Sequence, residues 1–335
     1  MRYLKTESGL KAPIGQTAAV AFLRKAVENG CSAFLLSGDE HIGKGTLALY
    51  LACMLNCLEA KAPCGVCSIC RRILKGSFAD VRFLGALSTE ENSKTGVSTE
   101  QIKEILENAA MAPYEGRAKV YIIDGAENMS AAAANRLLKT LEEHHEFVYF
   151  VLLAENASAV LPTVASRLMK LELQKASAAD IVAHLTSLQV DFVLADELAQ
   201  MADGYTGWAV LASQDAELVQ TRQTQIMQAM ALSKMVLSER LALAGEISKG
   251  FSKDRQRLYR QIDVWQSVFR DMLVCSLGQE ELVGHKNLVT QIKEAATSLN
   301  SVQISAFLHK MAETKQLLKQ NVAPQLALEV MMFSL

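Results

Sequence analysis

Residues 33–56 read AFLLSGDEHIGKGTLALYLACMLN, and this stretch sets the architecture of the first half of the chain. The apolar run AFLLS predicts a buried strand, and TLALYLACML predicts a helix. Between them, GDEHIGKG carries Gly38, Gly43 and Lys44 at the spacing of a phosphate-binding loop. Such a loop lies at a strand end, where backbone amides and a helix amino terminus hold phosphate. An ordinary strand–helix turn is the alternative.

The loop lacks one residue that hydrolysis needs. In P-loop enzymes the lysine is followed by Ser or Thr, whose hydroxyl binds the magnesium ion of the nucleotide. Here Gly45 follows, and Thr46 comes one position late.

Asp124 ends the apolar run VYIID, where P-loop ATPases carry an aspartate of the magnesium shell. Gly125 follows it and replaces the glutamate that positions or activates the attacking water. For Asp124 alone, a strand that ends in a turn is the alternative.

The composition excludes several classes of protein. Of 335 residues, 50% are hydrophobic and 21% are charged, with 34 basic and 36 acidic side chains and a formal net charge of −2. No global field therefore attracts nucleic acid. The amino-terminal stretch MRYLKTESGLKAPIGQ has no apolar signal region, and no apolar run reaches the length of about 18 residues that a membrane helix needs. We therefore expect a cytoplasmic protein without a membrane span.

Three regions of the chain differ in pattern. Residues 17–172 alternate short apolar runs with helical stretches, which predicts an α/β fold, a parallel sheet with flanking helices. Residues 177–213 predict a small helical unit that begins after Ser177, and the remainder is helical to the end. The predicted strands are Ala33–Ser37, Asp80–Leu84, Lys119–Ile123, Phe147–Leu153 and Lys170–Leu173. Predicted helices between them are Thr46–Leu58, Thr99–Ala110 and Ala131–Glu143.

Four cysteines form the strongest purely chemical signal. Cys57, Cys64, Cys67 and Cys70 fall within fourteen residues, and AKAPCGVCSICRR reads as a turn with its own proline and glycine. In a reducing compartment such clustering favours metal over disulfides. Four thiolates suit a closed tetrahedral zinc site, so zinc would be structural. A set of buried structural cysteines is the alternative.

Several segments together resemble a known family. GQTAAVAFLRKAVENG, the P-loop, the four-cysteine module, YIIDGAENMSAAAANRLLKTLEE and LPTVASRLMKLEL occur in the order seen in bacterial clamp-loader subunits of DNA polymerase III, which are AAA+ proteins. The most specific piece is NRLLKTLEE at Asn135–Glu143. The resemblance covers the first 210 residues well. It is looser afterwards, where it rests on Trp265, Arg270-Asp271 and the segment NVAPQLALE.

The resemblance implies a division of the chain and a set of partners. Residues 1–172 would form the AAA+ P-loop domain, residues 173–213 a helical lid, and residues 214–335 an all-α collar domain that holds a pentameric ring together. The partners would be gamma/tau ATPase subunits and a delta subunit. Through the complex, the chain would act on the sliding clamp and primed DNA during replication.

The resemblance also assigns a role to one arginine. Ser166-Arg167-Leu168 resembles the Ser-Arg-Cys motif of the family, with Leu168 in place of the cysteine. In that motif the arginine reaches the ATP of the neighbouring subunit, so Arg167 would act as an arginine finger in trans. A surface arginine that caps a helix is the alternative.

The chain departs from the family at its own nucleotide site. Besides Gly45 and Gly125, the lid segment GYTGWAV has Trp208 where the family carries a sensor arginine, and Asn156 is the sensor-like polar residue that is kept. The resemblance therefore implies a subunit that does not hydrolyse ATP. Whether ATP binds stays open for the degenerate site, which comprises Gly38, Gly43, Lys44, Thr46, Asp124 and Asn156. An active ATPase subunit of the gamma/tau type and an AAA+ protein outside replication are the alternatives.

Overall fold

The computed structural model describes residues 12–85, 97–143, 146–251, 254–320 and 322–335. The chain divides into two compact units. The first contains the described residues up to Val190 together with Gly204–Val210. The second contains Asp191–Asp203 and Leu211–Leu335.

A five-stranded parallel sheet forms the centre of the first unit, with the strand order β2-β3-β4-β1-β5. Its strands are β1 Ala33–Ser37, β2 Val81–Leu84, β3 Lys119–Asp124, β4 Val148–Ala154 and β5 Met169–Glu172. The helices of the same region are α1 Thr17–Glu28, α2 Lys44–Asn56, α3 Ser68–Leu74, α4 Thr99–Ala109, α5 Ala131–Glu142, α6 Pro162–Ala165 and α7 Ala178–Ser187. The predicted α/β class, a parallel sheet with flanking helices, is confirmed.

The three central strands β1, β3 and β4 are buried on both faces, which explains their nearly continuous apolar sequences. Phe34 and Leu36 belong to one core, which also contains apolar residues of α1, α2 and α3. Leu35, between them, belongs to a second core with residues of α4, α5 and α6. Alternation along a strand therefore distributes each strand between two helical layers.

The observed element ends differ from the predicted ones where tertiary contacts intervene. α2 begins at Lys44 and not at Thr46, because the loop runs directly into the helix after Gly43. It ends at Asn56, since Cys57 has extended backbone angles and leads into the cysteine segment. β2 begins at Val81, because the carboxylate of Asp80 accepts hydrogen bonds from three backbone amides of the segment before β3.

The second unit is helical in its described residues. Its core is built around α12 (Arg255–Ser276), where Trp265, Phe269 and Ile262 are fully buried. The ring of Phe307 in α14 (Ser301–Lys319) lies against that of Phe269 with an angle of 57° between the ring planes. The helices from the second unit onward are α8 Phe192–Ala202, α9 Thr206–Ala212, which straddles the boundary of the two units, α10 Ala216–Leu232, α11 Leu237–Ser248, α12 Arg255–Ser276, α13 Val289–Ala296, α14 Ser301–Lys319 and α15 Pro324–Phe333. In the described part of the chain, every helix is too short or too polar to cross a membrane.

The predicted domain limits at residues 172/173 and 213/214 stay predictions. The compact units place α7 with the sheet and α8 with the carboxy-terminal helices. A helical lid of residues 173–213 would therefore draw on both units.

Candidate functional site

The loop between β1 and α2 has a backbone suited to phosphate. Gly38 and Gly43 have φ angles of 144° and 107°, where a side chain would be strained. α2 begins directly after Gly43, so free amides of its first turn face the loop. Of the predicted residues, Gly38, Gly43 and Lys44 are thus brought together, and Thr46 lies in the first turn of the helix.

The ammonium group of Lys44 is bound to the loop itself. Its Nζ donates to the carbonyl oxygens of Gly38 at 2.6 Å and Asp39 at 2.9 Å. Burial lowers the pKa of Lys44, and four neighbouring carboxylates oppose that shift. Those carboxylates belong to Glu155, Asp124, Glu127 and Asp39. One half-buried cation therefore lies among several acids.

Asp124 lies at the end of β3, as the sequence predicts. Burial raises the pKa of Asp124, and the charge of Lys44 opposes the shift. The other three acids around Lys44, Asp39, Glu127 and Glu155, were not among the predicted site residues. Glu127 accepts a hydrogen bond from the amide of Glu155 at 3.0 Å through Oε1, while its Oε2 is buried and has no hydrogen-bond partner among the described residues. The signal that could have found Glu127 is Gly125, which opens a tight turn over residues 126–128.

The backbone at Gly125 makes its missing carboxylate hard to restore. Gly125 has a φ angle of 74°, in the left-handed region that costs an L side chain about 1–2 kcal/mol. A glutamate at this position would require either that strain or a shift of the turn. The main chain at Gly125 therefore disfavours any carboxylate side chain at this position.

The segment Gly204–Trp208 closes over the loop within the first unit. The amide of Gly207 donates to the carbonyl oxygen of His41 at 2.9 Å, and the hydroxyl of Tyr205 donates to Oδ2 of Asp39 at 2.8 Å. A Cβ atom on Gly207 would lie only 2.9 Å from the same carbonyl oxygen. Trp208 is buried, and its indole carries no charge that could stabilise a phosphate.

Asn156 follows β4 and is engaged locally. Its Oδ1 accepts hydrogen bonds from the amide of Ser158 at 2.9 Å and from the hydroxyl of Ser158 at 2.7 Å. The side chain thereby caps the short helical turn at Ala157–Ala159. A role as a nucleotide sensor stays a prediction.

Arg167 follows α6 and is ion-paired with Glu142 at the end of α5. Its Nε donates to Oε1 of Glu142 at 2.7 Å, its Nη2 donates to the same oxygen, and its Nη1 donates to the carbonyl oxygen of Thr163 at 2.8 Å. The Arg167 side chain keeps 35% of its surface exposed. The guanidinium is therefore held at a defined place on the surface of the first unit.

Arg167 and the loop lie at opposite edges of the sheet. The loop follows the carboxyl end of β1, whereas Arg167 precedes the amino end of β5. The two strands are parallel, and Met169 pairs with Phe34, four residues before Gly38. At about 3.3 Å per residue, the start of β5 is roughly 13 Å from the loop along the strands. Arg167 therefore points to a different surface from the chain's own loop.

The four predicted cysteines meet in space. Their Sγ atoms all lie within 4.8 Å of one another, and no disulfide joins them. The amide of Cys67 donates to Sγ of Cys64 at 3.3 Å, and the amide of Cys70 donates to Sγ of Cys67 at 3.4 Å. Burial would raise the pKa of Cys64, but hydrogen bonds from the amides of Cys67 and Val66 lower it to about 7. This cluster can hold a metal ion.

The chemistry of the cluster fits zinc in a closed site. Zinc–sulfur bonds of about 2.3 Å place the sulfur atoms of a tetrahedral site about 3.8 Å apart, which lies within the observed limit. The cluster follows the carboxyl end of α2, and the loop precedes its amino end. A helix of 13 residues is about 20 Å long. A metal there is too far from the loop to take part in its chemistry.

Comparisons with known proteins find similarity to subunits of DNA polymerase III. A family model described as "DNA polymerase III, delta subunit" matches residues 15–177. The chain is 27% identical over 294 residues to DNA polymerase III subunit delta prime of Bacillus subtilis, which covers 88% of this chain and 87% of that protein. It is 40% identical over 157 residues to subunit gamma of Buchnera aphidicola, which covers 44% of this chain and 42% of that protein. The chain thus spans most of the delta prime relative and less than half of the gamma relative.

Among solved structures, the chain resembles a gamma subunit-related protein of DNA polymerase III from Thermotoga maritima. The two share 17% identity and a TM-score of 0.39 over 88% of this chain and 98% of that one. A similarity of this size carries no argument about function.

Proposed function

The chain belongs to the family of DNA polymerase III clamp-loader subunits of the delta prime, gamma and tau type, and from this premise we propose that it is a subunit of the delta prime type that does not hydrolyse ATP. It occupies a pentameric ring with gamma/tau ATPase subunits and a delta subunit. Its Arg167 reaches the ATP of a neighbouring ATPase subunit. Through the complex it helps to load the sliding clamp onto primed DNA.

The observation that carries this proposal is the position of Arg167. It lies at the edge of the sheet opposite the chain's own loop, and its guanidinium is partly exposed and held in place by two neighbours. An arginine with this placement is unable to serve the chain's own phosphates. It is suited to a phosphoryl group that another chain presents, where an arginine finger accelerates transfer by about 10³–10⁵-fold.

The chain's own nucleotide site supports the proposal that the chain does not hydrolyse ATP. Gly45, Gly125 and Trp208 each remove a group that P-loop ATPases or the family use. If each loss forfeits about 2–4 kcal/mol of transition-state stabilisation, the three together slow hydrolysis by at least about 10⁴-fold. The carboxylates around Lys44 also repel the negative charge of a nucleotide triphosphate when its magnesium ion is bound poorly. Hydrolysis of ATP by this chain is therefore negligible, and binding of ATP stays open.

Zinc is the metal we propose for the cysteine cluster. Cys57, Cys64, Cys67 and Cys70 would supply four thiolates to one ion. With all four positions filled by protein, the ion has no open site for water and its contribution is to folding.

An ATP-hydrolysing subunit of the gamma/tau type is the competing function. The 40% identity over 157 residues to a gamma subunit favours it. The glycines at 45 and 125 and the indole at 208 oppose it.

The isolated chain tests the proposal. ATP binding and ATP hydrolysis are measured separately, with Lys44→Ala as the matched control. We expect turnover at the background level of that control, and an increase in turnover when the chain joins gamma-type subunits. Hydrolysis that depends on Lys44 would show that the chain is itself an ATPase.

A further inference from the structure

The structure assigns a positioning role to Glu142, whose carboxylate sets the orientation of the Arg167 guanidinium toward a neighbour's phosphates. This inference rests on the trans-acting role proposed for Arg167. Glu142 is the last residue of α5, which is the helix of the NRLLKTLEE segment. It is separated from Arg167 by 25 residues in sequence and is joined to it by two hydrogen bonds.

The bonding pattern leaves one side of the guanidinium available. An arginine has five N–H donors in a rigid planar fork. In Arg167, Nε and Nη2 donate to Oε1 of Glu142, and Nη1 donates to the carbonyl oxygen of Thr163. One N–H on each terminal nitrogen is then without a partner among the described residues. A pair of donors of this kind matches two oxygens of a phosphoryl group.

The location of Glu142 runs against helix electrostatics, which argues for a specific use. α5 ends at Glu142 and is followed by Glu143 as its C-cap residue, although the carboxyl end of a helix carries partial negative charge and disfavours acidic side chains. Glu143 is paired with Lys139 of the same helix, whereas Glu142 is paired with Arg167. Proteins break such local rules chiefly at functional sites, and the contact that Glu142 gains at this position is the one with Arg167.

The two elements also give the pair a rigid base. α5 and α6 lie against each other and contribute Ala134, Leu137, Val164 and Ala165 to the same buried core. An arginine has many rotamers, and a misplacement of about 1 Å can cost about 100-fold in rate. Glu142 and Thr163 restrict the Arg167 side chain before the neighbour arrives, so the donors are presented in a fixed direction.

The test compares Glu142→Ala and Glu142→Gln in the full assembly with ATP-hydrolysing subunits. The readout is the part of ATP turnover that Arg167→Ala removes. Both hydrogen bonds use the single oxygen Oε1, so glutamine can keep them while it loses the charge. We expect Glu142→Ala to lower the Arg167-dependent kcat about tenfold with KM unchanged, and Glu142→Gln to retain most of it. Glu143→Ala is the matched control at the same helix end.

The outcomes distinguish a failure of the positioning role of Glu142 from a failure of the trans-acting role of Arg167. If Arg167→Ala itself has no effect, the trans-acting role fails. If Arg167→Ala lowers turnover but Glu142→Ala matches the wild type, the positioning role alone is overturned. It is also overturned if Glu142→Gln is no better than Glu142→Ala, or if removal of the carboxylate raises turnover, since the ion pair would then restrain the arginine. In the Arg167→Ala background, Glu142→Ala should cause no further loss.

Discussion

Replacing two of the four clustered cysteines should destabilise the first unit and leave the second unit unchanged. The suitable pair is Cys64 and Cys67, which are half-buried, whereas Cys57 and Cys70 are buried in a hydrophobic core. Serine at the two half-buried positions removes metal binding without opening a cavity in the core. The measured loss should therefore reflect the metal and not a packing defect.

The size of the loss follows from the segment that the metal closes. Zinc would cross-link residues 57–70, a segment of fourteen residues. A cross-link over about 15 residues stabilises a protein by about 3 kcal/mol in the chain-entropy model. For a unit of this size, each kcal/mol shifts the melting temperature by about 2–4 °C, so we expect a decrease of about 6–12 °C.

Differential scanning calorimetry combined with elemental analysis measures this effect. The wild type should contain about one zinc ion per chain and lose the same stability in a strong chelator as the double variant loses by mutation. Cys31→Ser is the matched control, because Cys31 is a half-buried cysteine of the same unit outside the cluster. A metal-free wild type that melts at the same temperature as the double variant would refute the zinc assignment.

Three further outcomes are expected. In the second unit, burial would raise the pKa of Asp271, but hydrogen bonds from His285 and Arg270 lower it to about 2. The ionised carboxylate therefore contributes about 2.5 kcal/mol to the free energy of unfolding above pH 4, and this contribution is lost as the pH falls toward 2. In urea unfolding, Asp271→Asn should be less stable than the wild type above pH 4, and this difference in unfolding free energy should shrink as the pH falls toward 2. A difference that does not change with pH would contradict the linkage. Gly207→Ala should lower the unfolding free energy of the first unit by about 1–3 kcal/mol, because the new Cβ would lie 2.9 Å from the carbonyl oxygen of His41. Gly245→Ala, where a Cβ would meet nothing within 4 Å, is its control in a urea titration, and equal stability of both variants would count against the tight contact. Gly45→Thr restores the magnesium hydroxyl but should leave phosphate release by the isolated chain at background, since Gly125 and Trp208 remain, and Lys44-dependent turnover would show that the hydroxyl alone was missing.

Local signals in the sequence were sufficient for the sheet and the loop. β1 spans Ala33–Ser37 as predicted, because an apolar run is bounded by a glycine. Lys44 and Asp124 were predicted to share a site, and the charge of each affects the pKa of the other. The cysteines were predicted as a cluster from spacing alone, and their sulfur atoms converge.

Contacts between distant segments were beyond the reach of sequence patterns. The approach of Gly207 to His41 joins residues 166 positions apart, and nothing local to either one indicates it. Glu127 was not predicted as a site residue, but the left-handed turn at Gly125 carries it close enough for its charge to act on Lys44. The pairing of Arg167 with Glu142 depends on how α5 and α6 pack together, which the helical pattern of each element does not specify.

The most direct test of the account is the ATP turnover of an assembly that contains Arg167→Ala. The full chain is combined with the ATP-hydrolysing subunits, and DNA-dependent turnover is compared between the wild type, Arg167→Ala and Arg136→Ala, an exposed arginine of α5 that serves as control. We expect an intact assembly by size exclusion in all three cases. We also expect the one ATPase site next to Arg167 to lose about 10³-fold in rate in Arg167→Ala alone. Turnover equal to the wild type in an intact Arg167→Ala assembly would contradict the trans-acting role of Arg167.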